Sequence, residues 1–462
     1  MKIIVLNGSP KGKLSGTLQY VAYLQKAFSQ HEFEAIHVSQ TIRAIEKNQE
    51  KFNAIIEKIQ NADGVIWSFP LYFMMVHGGF KRFIELIFEH NAENAFANKY
   101  TAVISTSIHF YDHTAQEYMR AICEDLQMQY TGGFSPASSD LLKTKHQKQL
   151  LQFGQHFFNA MEQKKVFQPK YAPVKARNFT YTHGKSNKVV DPGNKRVVIL
   201  HDALEEDHNL KEMVAHAQDM FDGKAEIYNI REVNIKGQCQ GCMQCGGSYH
   251  CSYEGKDDYI DFYKNNVMKA DILIYGGTIK DRYLSSRWKT FFDRSFFNTH
   301  TPVLIDKQAI FLVSGALEQN ANLQQILEAY FEFQFSNLTG IISDSSGTSQ
   351  EIDRYIEQAV EECVYNSKEG VSRPMTSLGV GGIKIFRDDI WGPLRMVFPA
   401  DHKAFRKLGY YKTFPQRSFT NFLMHVFVVP LLSIPPVRKV FNAQMKEQMI
   451  VPLKKTVAKA EF

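Results

Sequence analysis

The run Ala62–Phe88, ADGVIWSFPLYFMMVHGGFKRFIELIF, lies without a gap on Ala270–Phe296, ADILIYGGTIKDRYLSSRWKTFFDRSF, at a constant offset of 208 residues. Ala62/Ala270, Asp63/Asp271, Ile66/Ile274, Lys81/Lys289, Phe83/Phe291 and Phe88/Phe296 are identical, and Trp67/Tyr275, Phe80/Trp288 and Glu85/Asp293 are alike in type. Each copy reads as a continuously apolar strand, a loop, and an amphipathic helix with aromatic residues at i and i+3. A strand apolar on both faces belongs in a parallel sheet covered by helices on both sides.

The pattern extends in both directions. The first copy predicts strands near 2–7, 33–38, 64–69, 100–106 and 130–136, the second near 196–200, 224–229, 271–276, 308–314 and 338–343, with final helices near 147–163 and 350–365. Strands alternating with helices specify a doubly wound α/β fold, and five strands per copy fit its flavodoxin-like version, with a ligand at the carboxyl ends of the strands. The expected organisation is a flavodoxin-like domain at 1–165, a linker or crossing arm at 166–194, a second such domain at 195–368 and a basic amphipathic extension at 369–462. Two unrelated α/β domains are the alternative.

At 462 residues, with 44% apolar and 22% charged residues, the chain is too long for one core and too apolar for disorder. The Lys2–Asn7 strand starts directly after Met1 and leaves no space for a leader, so a cytoplasmic protein is expected. Four of the six cysteines crowd into Cys239–Cys251, which in a reducing compartment signals metal or redox chemistry rather than disulfides. Residues 371–462 hold 15 Lys and Arg against 5 Asp and Glu, so the basic excess belongs to the extension. Phe419–Pro436 is too short and too interrupted for a membrane span. The extension is read as packing over the domains, with docking on an anionic membrane surface or an acidic electron carrier as the other reading. No nucleic-acid module is present, and no nucleic acid is expected as a partner.

Strand Lys2–Asn7 runs into Gly8-Ser9-Pro10-Lys11-Gly12-Lys13-Leu14-Ser15-Gly16-Thr17, with a helix next. Backbone N–H groups, hydroxyls and a helix N-terminus together suit a terminal phosphate. The commoner job for Ser9, Ser15 and Thr17 is to cap the helix. The loop resembles that of the flavodoxin-like NAD(P)H-dependent FMN reductase and iron-sulfur flavoprotein families. The resemblance continues in Pro70-Leu71-Tyr72-Phe73 after the third strand and in Thr106-Ser107 after the fourth. It implies one FMN in the first domain, held by Ser9, Lys11, Ser15, Gly16, Thr17, Pro70, Leu71, Tyr72, Phe73, Thr106 and Ser107, with NAD(P)H as cosubstrate.

The second copy departs from this pattern. After its first strand comes His201-Asp202-Ala203-Leu204-Glu205-Glu206-Asp207, where carboxylates would repel a phosphate. It carries Cys239, Cys242, Cys245 and Cys251 instead, spaced C-x2-C-x2-C-x5-C. This resembles the compact motif of iron-sulfur flavoproteins and implies a [4Fe-4S] cluster; zinc and metal-free thiols stay open. In that family the cluster of one subunit approaches the flavin of another, so the fusion is expected to imitate a dimer.

The resulting expectation is an FMN-dependent NAD(P)H oxidoreductase passing electrons to a small-molecule or protein acceptor; the alternative is an electron-transfer module fed by another protein. A homodimer is a further candidate assembly. No catalytic residue is assigned; Tyr72, His109 and His113 stand nearest a substrate, and the two histidines are spaced to share a helix start.

Overall fold

The computed structural model describes residues 1–186, 188–412, 419–441 and 443–444. The parts of the basic extension at 413–418 and 445–462 lie outside the described residues. The chain divides into two compact units, Met1–Ala404 and Phe405–Phe462.

The first unit holds two five-stranded sheets. Strands β1 (Lys2–Asn7), β2 (Glu32–Ile36), β3 (Gly64–Pro70), β4 (Tyr100–Thr106) and β5 (Gln129–Phe134) form one. Strands β6 (Val197–His201), β7 (Ala225–Asn229), β8 (Ile272–Thr278), β9 (Gln308–Ser314) and β10 (Asn337–Ser343) form the other. All pairings are parallel, in the orders β2-β1-β3-β4-β5 and β10-β9-β8-β6-β7. Read from opposite edges these are one order, that of the flavodoxin-like sheet. The molecule is thus α/β, with two flavodoxin-like doubly wound sheets. The central strands are sealed by helices: Ile3, Ile4, Val5 and Leu6 in β1 and Val198, Ile199 and Leu200 in β6 have no accessible surface.

The registers align the two copies. Ile3 faces Gly64 and Val197 faces Ile272, so Gly8 corresponds to Asp202 and Lys11 to Glu205. Helices Gly78–Glu89 and Ser286–Arg294, equivalent in the repeat, pack together with reciprocal ends. Asp293 accepts from Gly78 N at 2.7 Å, and Glu85 accepts from Ser286 N and Oγ at 2.5 Å. Each helix therefore has an orphan N-terminal donor satisfied by a carboxylate of the other copy, with the helix dipole adding to the attraction. Lys81 and Lys289, both fully buried, neutralise these carboxylates.

The described residues of 164–196 form no helix or strand, yet they are anchored. Tyr181 is fully buried against the second sheet, its hydroxyl donates to Asp353 at 2.5 Å and its amide donates to Asn209 Oδ1 at 2.9 Å. A helix at Ser377–Trp391 follows the second sheet. In the second unit, helical turns run from Phe419 through Leu432. No helix of the described residues is long and apolar enough to cross a membrane.

Candidate functional site

The first loop is built by its own side chains. Asn7 donates to Gly12 O at 3.0 Å and accepts from Ser9 N; Ser9 Oγ accepts from Lys11 N. Gly12 sits at φ +55, where a Cβ would collide with Gln40. Ser15 caps helix Gly16–Ala27 by accepting from Leu18 N. The amides of Gly16 and Thr17 have no acceptor among the described residues, and a Cβ on Gly16 would meet nothing within 4 Å. A positive helix end thus opens onto empty space, as an anion requires.

The second loop is a tight turn. Tyr72 and Met75 exchange backbone hydrogen bonds of 2.8 and 2.9 Å, with Phe73 at φ 45 and Met74 at φ 63 between them. Two consecutive left-handed residues without glycine cost about 1–2 kcal/mol each. Burial of Met74 and Met75, and a 2.6 Å bond from Thr114 Oγ1 to Met74 O, hold the turn in place. It presents the Tyr72 ring, whose phenol is held well above its usual range by burial and then by nearby Cys239 and Asp293. His77 lies edge-on to that ring at 4.8 Å. Its Nδ1 accepts from Gly79 N while Nε2–H donates to Cys239 O at 2.8 Å, and burial keeps the imidazole neutral, its pKa down to about 3.

These loops meet in one cavity of about 380 Å³. Ser9, Lys11, Gly16, Pro70, Leu71, Tyr72, Phe73, Thr106 and Ser107 all line it. Ser15 and Thr17 do not: Ser15 is the helix cap, and Thr17 is buried with its hydroxyl 2.6 Å from that of Thr106, tying the first loop to the third. His109 and His113 do not share a helix start, because His109 sits at φ 66 before helix Asp112–Asp125 and bonds to Asp112 at 2.9 Å.

The other walls come from sequence-distant residues: Cys239, Gly241 and Met243 of the cysteine loop, Asp293, His300, and the rings of Phe296, Phe333, Phe386 and Phe398. A side chain on Gly241, at φ +61, would run into Tyr72 Oη and Lys11 Cε. The cysteine loop is therefore seated against the first domain's second loop. Asp293 is fully buried, and burial, offset in part by Lys289, raises its carboxyl to about 6. No spacing rule flags Phe386 or Phe398; the only signal is the aromatic richness of Ile383–Phe398.

Cys239, Cys242, Cys245 and Cys251 line a single small pocket with Tyr253, Arg294 and Phe296. Burial pushes the Cys239 and Cys245 thiols up to about 12. Among the described residues no group of three or more His, Cys, Asp or Glu side chains is arranged to hold a metal ion. As they stand, the four thiols do not form a cluster's ligand set.

The counterpart site of the second domain is filled differently. A cavity of about 470 Å³ there is lined by Asn209, Lys280, Ser314, Gly315 and Asp344, with Arg177 and Phe179 of the arm lying across it. Arg177 donates to Asp344 O and Gly347 O, and the Asp344 carboxylate takes Gly315 N at 2.7 Å, Ser314 Oγ at 2.8 Å and Asn209 Nδ2 at 2.7 Å. A protein carboxylate already holds the donors a phosphate would use, and Asp202 and Glu205 stand where the first domain has Gly8 and Lys11.

Two doubly wound five-stranded parallel sheets define the class: an α/β protein with two flavodoxin-like sheets, the first of which carries the aromatic-walled cavity. Residues 1–140 match the family model described as NADPH-dependent FMN reductase, a match spanning under a third of the chain. A comparison with curated proteins found no match. Among solved structures, the chain resembles an NADH:FMN oxidoreductase (EMOB) in its apo form, at 20% identity over 34% of this chain and 89% of that one, TM-score 0.29. It also resembles the flavoenzyme NAD(P)H:(acceptor) oxidoreductase FerB from Paracoccus denitrificans, at 20% identity over 35% and 97%, TM-score 0.30. A third is the general stress protein 14 from Treponema denticola in complex with FMN, at 10% identity over 36% and 99%, TM-score 0.26.

Proposed function

We propose that the chain is an FMN-dependent NAD(P)H oxidoreductase with one FMN per chain, seated in the cavity of the first domain. The observation that carries this reading is the open space at Gly16: this helix-start residue, its amide unpaired among the described residues, lines a cavity whose other walls carry aromatic rings and hydroxyls. Ser9, Lys11 and Gly16 would hold the phosphate, and Pro70–Phe73, Thr106 and Ser107 would hold the flavin ring system. When bound, FMN accepts a hydride and releases electrons singly or in pairs. The chain's own task is to bind, orient and exclude water. The neutral His77 contributes by pinning the Cys239 backbone beside Tyr72.

The finer reading gives the chain a second redox centre at Cys239, Cys242, Cys245 and Cys251. Its support is position, since Cys239 and Gly241 share the cavity wall with Tyr72. A [4Fe-4S] cluster there requires the four sulfurs to close further than they now stand. The reciprocal capping of Gly78 and Ser286 is the isologous contact of a two-fold dimer, so a tandem fusion supplies the pairing within one chain.

Anaerobic purification with a visible spectrum, an iron assay and stopped-flow mixing with NADPH and NADH tests these readings. Bound FMN bleached by a nicotinamide nucleotide is the expected result. Bleaching by dithionite and by neither nucleotide makes the chain an electron-transfer module, and colourless protein that fails to take up FMN removes the reading altogether.

A further inference from the structure

His300 carries a chemistry that the cofactor loops do not need. Its Nδ1 lies 2.7 Å from Asp401 Oδ2, and its backbone N donates to the same oxygen at 3.2 Å. Asp401 has no accessible surface; its other oxygen accepts from Thr301 Oγ1 at 2.8 Å and from Thr299 Oγ1. The only ion pair of this carboxylate among the described residues is with His300. A buried carboxylate is costly unless paired, and Asp401 is satisfied by hydrogen bonds from His300 Nδ1, the His300 amide and the two threonine hydroxyls. Because Nδ1–H is donated to Asp401, the tautomer is fixed and Nε2 is the working nitrogen.

Nε2 has no hydrogen-bond partner among the described residues, and it is not among the fully sealed atoms. The ring lines the cofactor cavity, with its centroid 4.1 Å from that of Phe386 and 4.7 Å from that of Phe398. A purely structural pin between Asp401 and the residue 299–301 turn requires only Nδ1–H, the amide and the two threonines. The unpaired nitrogen facing an aromatic-walled cavity is surplus to that role. Of the cavity's other ionisable groups, Lys11 and Tyr72 belong to the cofactor loops, Cys239 to the cysteine loop, and Asp293 is bound to Lys289 and Gly78 N.

We propose that His300, oriented by Asp401, is a catalytic residue that delivers a proton from Nε2 to the oxygen of an uncharged planar acceptor of the quinone class. The assignment rests on the FMN reading above. The balance is closed: a quinone becomes a hydroquinone by gaining two electrons and two protons. Hydride from the NAD(P)H-reduced flavin brings both electrons and one proton. The second proton leaves Nε2, whose N–H bond breaks as the acceptor's O–H bond forms, and the neutral imidazole is recharged from solvent. Asp401 offsets the positive charge of the protonated ring and holds its orientation, the role of a buried carboxylate beside a catalytic histidine. The apolar rings favour a flat, uncharged acceptor over a hydrated ionic one.

The test separates proton-requiring from proton-free acceptors on the FMN-loaded chain. Menadione needs the proton; ferricyanide takes single electrons and needs none. His300→Gln is expected to slow reoxidation of the reduced protein by menadione about 100-fold, the low end of general-acid contributions. The ratio of the menadione rate to the ferricyanide rate on the same variant is the readout, so that any change in cofactor seating common to both acceptors cancels. Asp401→Asn is expected to show the same split, smaller in size. Equilibrium titration of the oxidised protein with menadione gives a readout without turnover: His300→Ala weakens binding about three- to tenfold through one lost hydrogen bond, while His300→Gln retains a donor. Equal menadione rates in His300→Gln and wild type, or equal slowing with both acceptors, overturn the role of His300 alone. Failure to take up FMN overturns this role and the FMN reading together.

Discussion

Asp293 accepts a 2.7 Å hydrogen bond from Gly78 N, across from its own copy into the helix start of the other. Glu85 returns the arrangement at Ser286, so the two halves cap each other through buried carboxylates. Asp293 is also bonded to Lys289 within its own helix. Asp293→Ala strands that lysine in a dry interior and leaves Gly78 N unpaired. Urea unfolding is expected to show a loss of about 3–5 kcal/mol, with most of it restored by the double variant Lys289→Met, Asp293→Leu.

Gly16 offers a substitution whose effects on folding and binding point in opposite directions. Its Cβ position is open, glutamate is a better helix former than glycine, and a carboxylate in the first turn suits the helix dipole. Gly16→Glu is therefore expected to leave the melting temperature unchanged or raised. It places negative charge where the phosphate would bind, and FMN fluorescence titration should show affinity lowered at least about 10-fold.

Gly241→Val tests the seat of the cysteine loop. The new side chain collides with Tyr72 and Lys11 at a left-handed backbone position, so the loop must withdraw from the cavity wall. FMN affinity is expected to fall about 10-fold, with the absorbance band of any bound flavin shifted by added solvent contact. Unchanged affinity and an unchanged spectrum would mean that the loop contributes nothing to the site.

Asp202 gives a pH signature for the second domain. Burial raises its carboxyl from the ordinary 3.8 to about 6, with one oxygen unpaired and the Ser285 bond a smaller opposing effect. The folded chain thus holds this proton more tightly than the unfolded one. Its contribution is fully present below about pH 4 and is lost as pH rises through 6. Asp202→Asn is expected to add about 2–3 kcal/mol at pH 8 and almost nothing at pH 4, measured as the difference between variant and wild-type urea midpoints.

Docking on an anionic membrane surface, the other reading of the basic extension, has a direct test in the second unit. Phe419, Phe422 and Phe427 are 76%, 60% and 67% exposed, and residues 405–462 hold ten Lys and Arg against two Asp and Glu. Exposed aromatic turns flanked by cations suit the boundary between headgroups and acyl chains. The full chain is expected to sediment with phosphatidylglycerol vesicles, less so with phosphatidylcholine vesicles or at high salt. Phe422→Asp combined with Phe427→Asp should abolish binding, and light scattering showing self-association without lipid binding would point to a second copy instead.

The fold was largely legible because its signal is local: apolar runs such as Ile3–Leu6 and Val197–Leu200 name their own strands, and the match of Ala62–Phe88 to Ala270–Phe296 repeats the unit. The first-domain loops were legible for the same reason, each beginning where a strand ends. Ser15 and Thr17 show the limit of that reasoning, since a hydroxyl next to an anion cradle and a hydroxyl that builds the cradle look alike in sequence. The turn at Phe73 and Met74 was hidden because neither residue advertises a positive φ; tertiary burial imposes it. Asp401 and His300 lie about a hundred residues apart, and no periodicity links them; only the packing of Asp401 against the Thr299–Thr301 turn brings them together.

The origin of the cavity walls at Phe386 and Phe398 has a temporal side. A ribosome adding about 5–20 residues per second would expose the Ser9–Thr17 loop roughly 20–80 s before the last of these rings emerges. The cradle is made first and the chamber last. Newly made protein would therefore pass through an interval in which its anion site is formed but open to water, and cofactor captured then would be sealed in only after Phe398 has emerged.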